Sequence, residues 1–314
     1  MKDKIAEFGQ ISLLNKREVL ALENILDNEK LFSAAQKIAA KEFFPADSTV
    51  ELPQLTAAEL SQAWFAAAFL SFDLSRQCYC RLNIPEAVWR DSMTDLAVWL
   101  RNEERNSSII GLGALARPWQ VVIYQGKVTR HGRLECNTEF YYSHDPLYDD
   151  RHNLLLTAGD AVINLHIPED GAMDMASCSD SIRRMAEFFV RYRPDYNWRG
   201  FLCESWLLDR QLRPMLPEKS NIIKFQNLGL HYMLHPTDDT IFRIFGTADP
   251  FKIPNPTSLQ KNAAAFIQHG GTFYEEGIFI PRSQIEELDF DLNRLLQARA
   301  AITRVLSSSL TDNL

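Results

Sequence analysis

An apolar strand, an amphipathic helix and a second apolar strand follow one another between residues 161 and 206, and this succession most restricts the fold. AVINLHI at 161–167 and RGFLCESW at 199–206 have strand character, while SIRRMAEFFVRYR between them carries its apolar residues at helical spacing. A strand, a crossover helix and a strand in succession form a parallel pair with a right-handed connection. The sequence therefore predicts a sheet that contains a parallel pair.

Further strand-like segments lie on both sides of this unit. WQVVIY at 119–124 and VTRHGRLECN at 128–137 predict a hairpin, and LLDRQLRPML after the second strand predicts a short helix. NIIKFQNLGLHYML at 221–234 and TIFRIFG at 240–246 predict two paired strands, and TFYEEGIFI at 272–280 predicts a small hairpin. Hairpins around a parallel pair predict a mixed sheet.

Helices are predicted over the first 110 residues, because helix propensity is high there and glycine, which lowers it, occurs only at Gly9 before Gly111. Thr56 and Glu59 form the pattern of a capping box, and a second helix is predicted over Ala87 to Arg101. Pro118 is expected to stop any helix in the joint GLGALARPW. The predicted fold class is α+β, with a helical N-terminal domain (1–115) followed by a mixed β-sheet domain flanked by helices (116–314).

The C-terminal part is again predicted to be helical. Thr257 to His269 predicts one helix, and Ser283 with Glu286 predicts a capping box for the closing helix. The apolar face of the closing helix predicts a packing helix, with a homodimer interface as the alternative. Its members are Ile285, Leu288, Leu292, Leu295 and Ile302.

Charge and cysteine usage narrow the class of protein. The formal net charge is -8 with no strongly basic block, so no nucleic-acid partner is expected. The longest apolar run, AWFAAAFL at 63–70, is too short to span a bilayer, and no membrane partner is expected. Five cysteines and an N-terminus with acids in place of an apolar signal core predict a cytoplasmic protein. Cys78 and Cys80 lack a second ligand pair, so no metal site is predicted.

Six segments, taken in order, resemble a family of bacterial acyltransferase-domain proteins. That family has a helical N-terminal domain and a GNAT-like C-terminal domain, and the resemblance covers roughly residues 20 to 280. The segments are NIPEAVWRDSMTDLAVWL (83–100), HGRLE (131–135), LHIPEDG (165–171), CESWLLD (203–209), LPEKSNIIKF (216–225) and FRIFG (242–246).

The resemblance implies an acyltransferase with acetyl-CoA or another acyl-CoA as co-substrate and a small-molecule acceptor such as an amine. The thioester would lie where strands 161–167 and 199–206 separate, with His166 and Ile167 beside the pantetheine arm. The loop 168–180 would hold the pyrophosphate, together with Arg183 and Arg184 in the first turn of the following helix. A satisfied core histidine is the alternative for His166.

Three residues are the catalytic candidates. Glu204 is the candidate general base, and the resembled family often has a histidine there, which also accepts a proton. Ser205 is a candidate donor to the acyl carbonyl, and Tyr232 is the candidate acid for the leaving thiolate, although the usual tyrosine is absent from 207–216. A buried ion pair is the alternative for Glu204, and a backbone hydrogen bond is the alternative for Ser205. Asp209 is expected to cap the short helix.

Four acids in the predicted pyrophosphate loop argue against ordinary CoA binding, because carboxylates repel phosphates. Arg183 and Arg184 either compensate for these charges or pair with them. Two functions therefore remain: an acyltransferase, or a catalytically inert GNAT-like module that binds a ligand or a protein. A serine hydrolase is not indicated, since no G-x-S-x-G elbow surrounds Ser205. The acids are Glu169, Asp170, Asp174 and Asp180.

Overall fold

The computed structural model of the protein describes residues 1–45, 51, 53–246 and 249–288. The chain divides into two compact units. The first unit comprises Met1–Glu135 together with the short segment Ile167–Gly171. The second unit comprises Cys136–His166 and the chain from Ala172 onward.

The first unit is built almost entirely of helices. Helix α4 is its centre, and it packs against α2, α3, α5 and α7. The π-helical turn Ala39–Phe43 extends α3. The helices are α1 Lys2–Ile11, α2 Lys16–Asp27, α3 Glu29–Ile38, α4 Ala57–Arg81, α5 Glu86–Met93, α6 Asp95–Ser107 and α7 Ala116–Tyr124.

The capping box predicted at the start of α4 is confirmed. The side chain of Thr56 accepts from the backbone N–H of Glu59, and the Glu59 carboxylate accepts from that of Thr56. The single helix predicted over 87–101 is wrong, because the chain bends at Thr94 between α5 and α6. The Thr94 hydroxyl donates to the Asp91 carbonyl at 2.6 Å and so competes with the helical backbone pattern.

The strand predicted over 119–124 is wrong, and so is the expectation that Pro118 stops a helix. Pro118 lies in the first turn of α7, where its missing N–H removes no helical hydrogen bond. Gln120, Ile123 and Tyr124 are buried along this helix. The three- to four-residue spacing of these positions is helical, although WQVVIY also fits a buried strand.

The sheet has six strands in the order β1-β2-β5-β6-β8-β7, and β3 and β4 form a separate pair. Strand β1 and the first two residues of β2 belong to the first unit. The strands are β1 Thr129–His131, β2 Leu134–Phe140, β3 Leu147–Tyr148, β4 Leu154–Leu156, β5 Ala161–His166, β6 Gly200–Ser205, β7 Leu230–Pro236 and β8 Tyr274–Pro281.

The predicted parallel pair and the mixed sheet are confirmed. Strand β5 pairs with β6 in parallel, and the connection between them is α8 Met175–Tyr192. Strand β8 pairs antiparallel with β6 on one side and with β7 on the other. The hairpin predicted over 272–280 is therefore wrong, because this segment is one strand inserted between β6 and β7.

Two predicted strands are helical instead. Residues 221–226 form α9 Asn221–Gln226, which Ser220 caps by accepting from the Ile222 N–H, and only the end of that segment becomes β7. Residues 240–245 lie in α10 Asp239–Phe245. Gly246 ends this helix with φ +68°, the left-handed conformation that favours glycine at a helix C-terminus.

The C-terminal helices agree with the sequence in part. Helix α11 Ser258–Gln268 begins at a capping box formed by Thr257 and Gln260. Helix α12 Arg282–Leu288 begins one residue before Ser283, so Ser283 is not its cap. Leu292, Leu295 and Ile302 lie outside the described residues, and the homodimer interface stays a prediction. Among the helices that the structure describes, none combines the length and apolar character needed to cross a bilayer.

Candidate active site

The pairing of β5 with β6 ends one residue before the end of β5 and two residues before the end of β6. Their pairing runs from Ile163 opposite Phe201 to Leu165 opposite Cys203. Strand β6 then continues, and Glu204 is paired with β8 through Gly277. Glu204 therefore lies just beyond the last residue pair of the parallel ladder.

The Glu204 carboxylate is held by two tyrosines of the second unit. The Tyr232 hydroxyl donates to Oε1 at 2.9 Å, and the Tyr142 hydroxyl donates to Oε2 at 2.8 Å. Tyr232 packs against a cluster of buried apolar side chains. Its ring contacts that of Tyr141 edge-on, with the ring centroids 6.3 Å apart. Tyr142 is 61% exposed, so the group on Oε2 is open to solvent.

Gly277 makes the contact between Glu204 and Tyr232 possible. It is the register partner of Glu204 on one side and of Tyr232 on the other, so the three residues form one row across β6, β8 and β7. A Cβ atom on Gly277 would lie 2.2 Å from Cζ of Tyr232. The missing side chain therefore lets the Tyr232 ring cross β8 to the carboxylate on the far strand.

Burial and the neighbouring carboxylate keep both tyrosines protonated. Burial raises the pKa of Tyr232 well above its usual range, and the charge of Glu204 raises it further. The pKa of Tyr142 is raised by the same two causes. Each phenol is therefore a hydrogen-bond donor to Glu204 at neutral pH. The arrangement presents one carboxylate base and two proton-bearing hydroxyls on one side of the sheet.

His166, at the end of β5, is neutral at physiological pH. Burial lowers the pKa of this imidazole to about 4. Its Nε2 lies 2.6 Å from Oδ1 of Asn137. A neutral histidine adds no positive charge to the candidate site. His166 can therefore contribute only hydrogen bonds and shape to it.

The other polar residues of CESWLLD serve the backbone. Oγ of Ser205 accepts from the Leu207 N–H, and the two oxygens of Asp209 accept from the N–H groups of Gln211 and Tyr274. The capping role predicted for Asp209 is confirmed. Cys203 is buried on the opposite face from Glu204, where burial raises the pKa of its thiol and makes it a poor nucleophile.

Arg183 and Arg184 are not in the first turn of the helix that follows the loop, as the sequence predicted. Asp174 caps α8 by accepting from the Ser177 N–H, so the helix begins six residues earlier than expected and both arginines lie in its third turn. Arg183 pairs with Asp180 and Glu187, and Arg184 pairs with Asp180 at 2.6 Å. These two cations are occupied by neighbouring carboxylates on the same helix.

The acids of the loop are also occupied, which removes much of the repulsion expected for a pyrophosphate. Asp170 pairs with Arg130 and Arg133, and Glu169 lies 3.6 Å from Arg105. Asp174 and Asp180 are engaged on α8 as described above. Within the part of the chain that the structure describes, no cluster of three or more histidines, cysteines or acids is arranged to hold a metal ion.

Comparisons with known proteins confirm the architecture that the motifs indicated. Residues 128–279 match the family model of the GNAT-like C-terminal domain, so this part of the chain is a GNAT-like domain. It follows a region of helices, as in the resembled family. A search of curated proteins finds no match.

Three solved structures share the fold over most of the chain. An acyltransferase in complex with decanoyl-CoA is 22% identical, with 89% of this chain and 88% of that chain covered and a TM-score of 0.65. An acyltransferase in complex with decanoyl-CoA and teicoplanin is 18% identical, with 88% and 87% covered and a TM-score of 0.66. An acyltransferase mutant in complex with octanoyl-CoA is 18% identical, with 89% and 88% covered and a TM-score of 0.65.

Sequence reasoning found Glu204 and Tyr232 but missed two residues that complete the arrangement. Tyr142 lies in a stretch between strands, and nothing in the local pattern relates it to β6. Gly277 lies in a segment that was predicted to be a hairpin. The available signal was the glycine itself inside an apolar strand, which often marks a close approach of another group.

Proposed function

We propose that this protein transfers an acyl group from an acyl-CoA to the amine, or a similar nucleophile, of a small molecule. The observation that carries the proposal is the Glu204 carboxylate, which lies just beyond the β5–β6 pairing and is hydrogen-bonded to Tyr232. Solved proteins of the same fold bind decanoyl-CoA and octanoyl-CoA, which supports a thioester donor. One of them also holds teicoplanin, which supports a small-molecule acceptor.

In the proposed reaction the acceptor nitrogen attacks the thioester carbonyl carbon, and the carbon–sulfur bond then breaks. Glu204 takes the proton that the nucleophile loses. Tyr232 gives its proton to the departing sulfur and regains one from Glu204 through their hydrogen bond. The raised pKa of Tyr232 makes a lasting phenolate unfavourable, so the two proton movements are expected to be coupled. The products are the acylated acceptor and CoA thiol.

The proposal assigns the donor to the end of β5. Backbone groups near His166 and Ile167 would hold the pantetheine arm, as the family resemblance implies. Arg183 and Arg184 are paired with carboxylates on α8, and they would have to exchange these exposed ion pairs for a phosphate. Oγ of Ser205 accepts from the Leu207 N–H, and its hydroxyl proton would donate to the acyl carbonyl.

The proposed donor is tested by thermal unfolding with CoA, acetyl-CoA, octanoyl-CoA and decanoyl-CoA. A ligand at one hundred times its Kd is expected to stabilise the protein by about 2.7 kcal/mol. Release of CoA thiol should then require an added amine. Release without any amine would indicate a hydrolase instead, and no stabilisation by any of these compounds would leave the inert GNAT-like module as the function.

Gly277→Ala is expected to slow acyl transfer because its new methyl group displaces the Tyr232 ring. A hydrogen bond to a charged group is worth about 1.5–3 kcal/mol, so the loss should be roughly 10- to 100-fold in kcat. Tyr232→Phe should reproduce that loss without moving the backbone. The measurement is kcat by thiol release, with circular dichroism to show that both variants fold. Wild-type kcat in both variants would show that the contact is not used.

A further inference from the structure

The segment that joins β5 to the loop before α8 belongs to the first unit. Ile167–Gly171 belongs to that unit, while its chain neighbours His166 and Ala172 belong to the second. A five-residue connection of this kind carries few apolar groups of its own. Pro168 is buried, and the polar groups of the segment are held by side chains of the same unit.

Arg133 donates hydrogen bonds to two carbonyls of this segment. Nη1 donates to the carbonyl of Pro168 at 2.9 Å, and Nη2 donates to the carbonyl of Gly171 at 2.9 Å. Nη1 also lies 3.4 Å from Oδ1 of Asp170, and the Arg133 side chain is only 10% exposed. The planar fork of a guanidinium supplies donors in fixed directions, so one side chain fixes two carbonyls three residues apart.

Arg130 adds a second contact from the neighbouring strand. Its Nη2 pairs with Oδ2 of Asp170, and its Nε donates to the Gly132 carbonyl at 2.8 Å. The Arg130 side chain is 9% exposed and that of Asp170 is 26% exposed, so this ion pair is partly shielded from solvent and from salt. Asp170 is thus the residue at which both arginines converge.

We infer that Arg133, supported by Arg130 and Asp170, is a positioning residue that presets the segment 168–171 for binding the phosphates of an acyl-CoA. The inference rests on the proposed function for the nature of the ligand, but the contacts themselves do not depend on it. A segment that is already held in place loses little conformational entropy when the ligand binds. Its affinity for the ligand is therefore higher. Arg133 acts through the backbone and touches no reacting atom.

The first measurement is hydrogen exchange of the backbone amides of residues 169–174 in the protein without ligand. Arg133→Gln should exchange faster than the wild type across this segment, while the amides of β6 should be unchanged. Arg133→Lys should restore the exchange rates only in part, because an ammonium group cannot bridge both carbonyls in fixed directions. Equal exchange in Arg133→Gln and the wild type would overturn the inference.

The second measurement is the affinity for CoA and decanoyl-CoA by calorimetry. Ordering one residue costs about 1–2 kcal/mol, so Arg133→Gln should weaken binding roughly 5- to 30-fold. The KM for acyl-CoA should rise with it, while kcat and the KM for the acceptor should stay unchanged. Faster exchange with unchanged affinity and KM would make Arg133 merely structural and would also overturn the inference.

Two further variants separate these outcomes from misfolding and from failure of the proposed function. Asp170→Asn leaves the bonds from Arg133 to the two carbonyls intact, so it should weaken CoA binding less than Arg133→Gln. Arg17→Gln, which removes a solvent-exposed ion pair with Glu104, is the matched control and should bind like the wild type. Should the wild type bind no CoA at all, the proposed function fails, and the exchange rates still decide whether Arg133 holds the segment.

Discussion

Glu204→Gln is expected to lower kcat for acyl transfer by about 10²- to 10⁴-fold, the usual contribution of a positioned general base. Glutamine has nearly the same shape: its amide oxygen can accept from one of the two tyrosine hydroxyls and its NH2 group can donate to the other. The amide cannot take a proton at neutral pH. Binding of acyl-CoA should be nearly unchanged, since the loss is confined to proton transfer. Steady-state thiol release, combined with calorimetric binding of decanoyl-CoA, measures both.

The control for Glu204→Gln is Glu187→Gln, which neutralises a half-buried carboxylate on α8 that pairs with Arg183. That variant should retain wild-type kcat, because Glu187 lies on α8 and not on β6 with Glu204. Retained kcat in Glu204→Gln would assign the base to another group. A comparable loss in both variants would point to a general effect of charge or stability.

The parts of the fold that the sequence predicted correctly are those with local signals. The segments that form β5, α8 and β6 show clear apolar periodicity. A strand, a helix and a strand in succession form a parallel pair with a right-handed connection, so their arrangement could be predicted. The start of α4 was marked by a capping box, whose partners Thr56 and Glu59 lie three residues apart. Local chemistry of this kind is visible in a single sequence.

The errors arose where apolar runs fit both a strand and a helix. The segments at 119–124, 221–226 and 240–245 are short and rich in Ile, Val and Phe, and tertiary packing decided their state. The cap at Ser220 and the left-handed Gly246 were local signals in favour of helices. The place of β8 in the sheet could not be predicted, because strand order depends on contacts between distant segments.

The candidate site shows the same limit. Glu204 stood out because a carboxylate in a strand requires a partner. The partners themselves come from residues 142 and 232, which are 62 and 28 positions away in the chain. The acids of the loop were expected to repel a pyrophosphate, because the arginines that pair with Asp170 are not its neighbours in the sequence. Arg130 and Arg133 lie about forty residues before it.

Glu135→Gln is expected to stabilise the protein at pH 8 and to flatten the dependence of its stability on pH. Asp95 and Glu135 are both buried in the first unit and interact directly, while Gln120 donates to Asp95 at 2.7 Å. Burial raises the pKa of Asp95 to about 6, and burial together with the charge of Asp95 raises the pKa of Glu135 well above its usual range. The folded state therefore favours the protonated forms.

The sign of the pH effect follows from these raised values. Between the ordinary carboxyl pKa near 4 and the folded value of about 6 for Asp95, the folded state binds more protons than the unfolded state. The stabilisation is complete below that window and is lost as the pH rises through 6, with a further loss until Glu135 ionises. Each unit of pKa shift corresponds to about 1.4 kcal/mol, so the Asp95 carboxyl alone accounts for a loss of about 1.4 kcal/mol above pH 5, and Glu135 adds to that loss.

Replacing Glu135 by glutamine removes one of the two ionisations and leaves an amide that can donate to Asp95 at every pH. Urea unfolding of the wild type at pH 5, 6, 7 and 8 should show a falling free energy of unfolding, and the variant should fall less and be the more stable protein at pH 8. Glu169→Gln, which alters a 63% exposed carboxylate in the same unit, should follow the wild type. Parallel curves for wild type and Glu135→Gln would mean that the buried pair does not set the pH dependence.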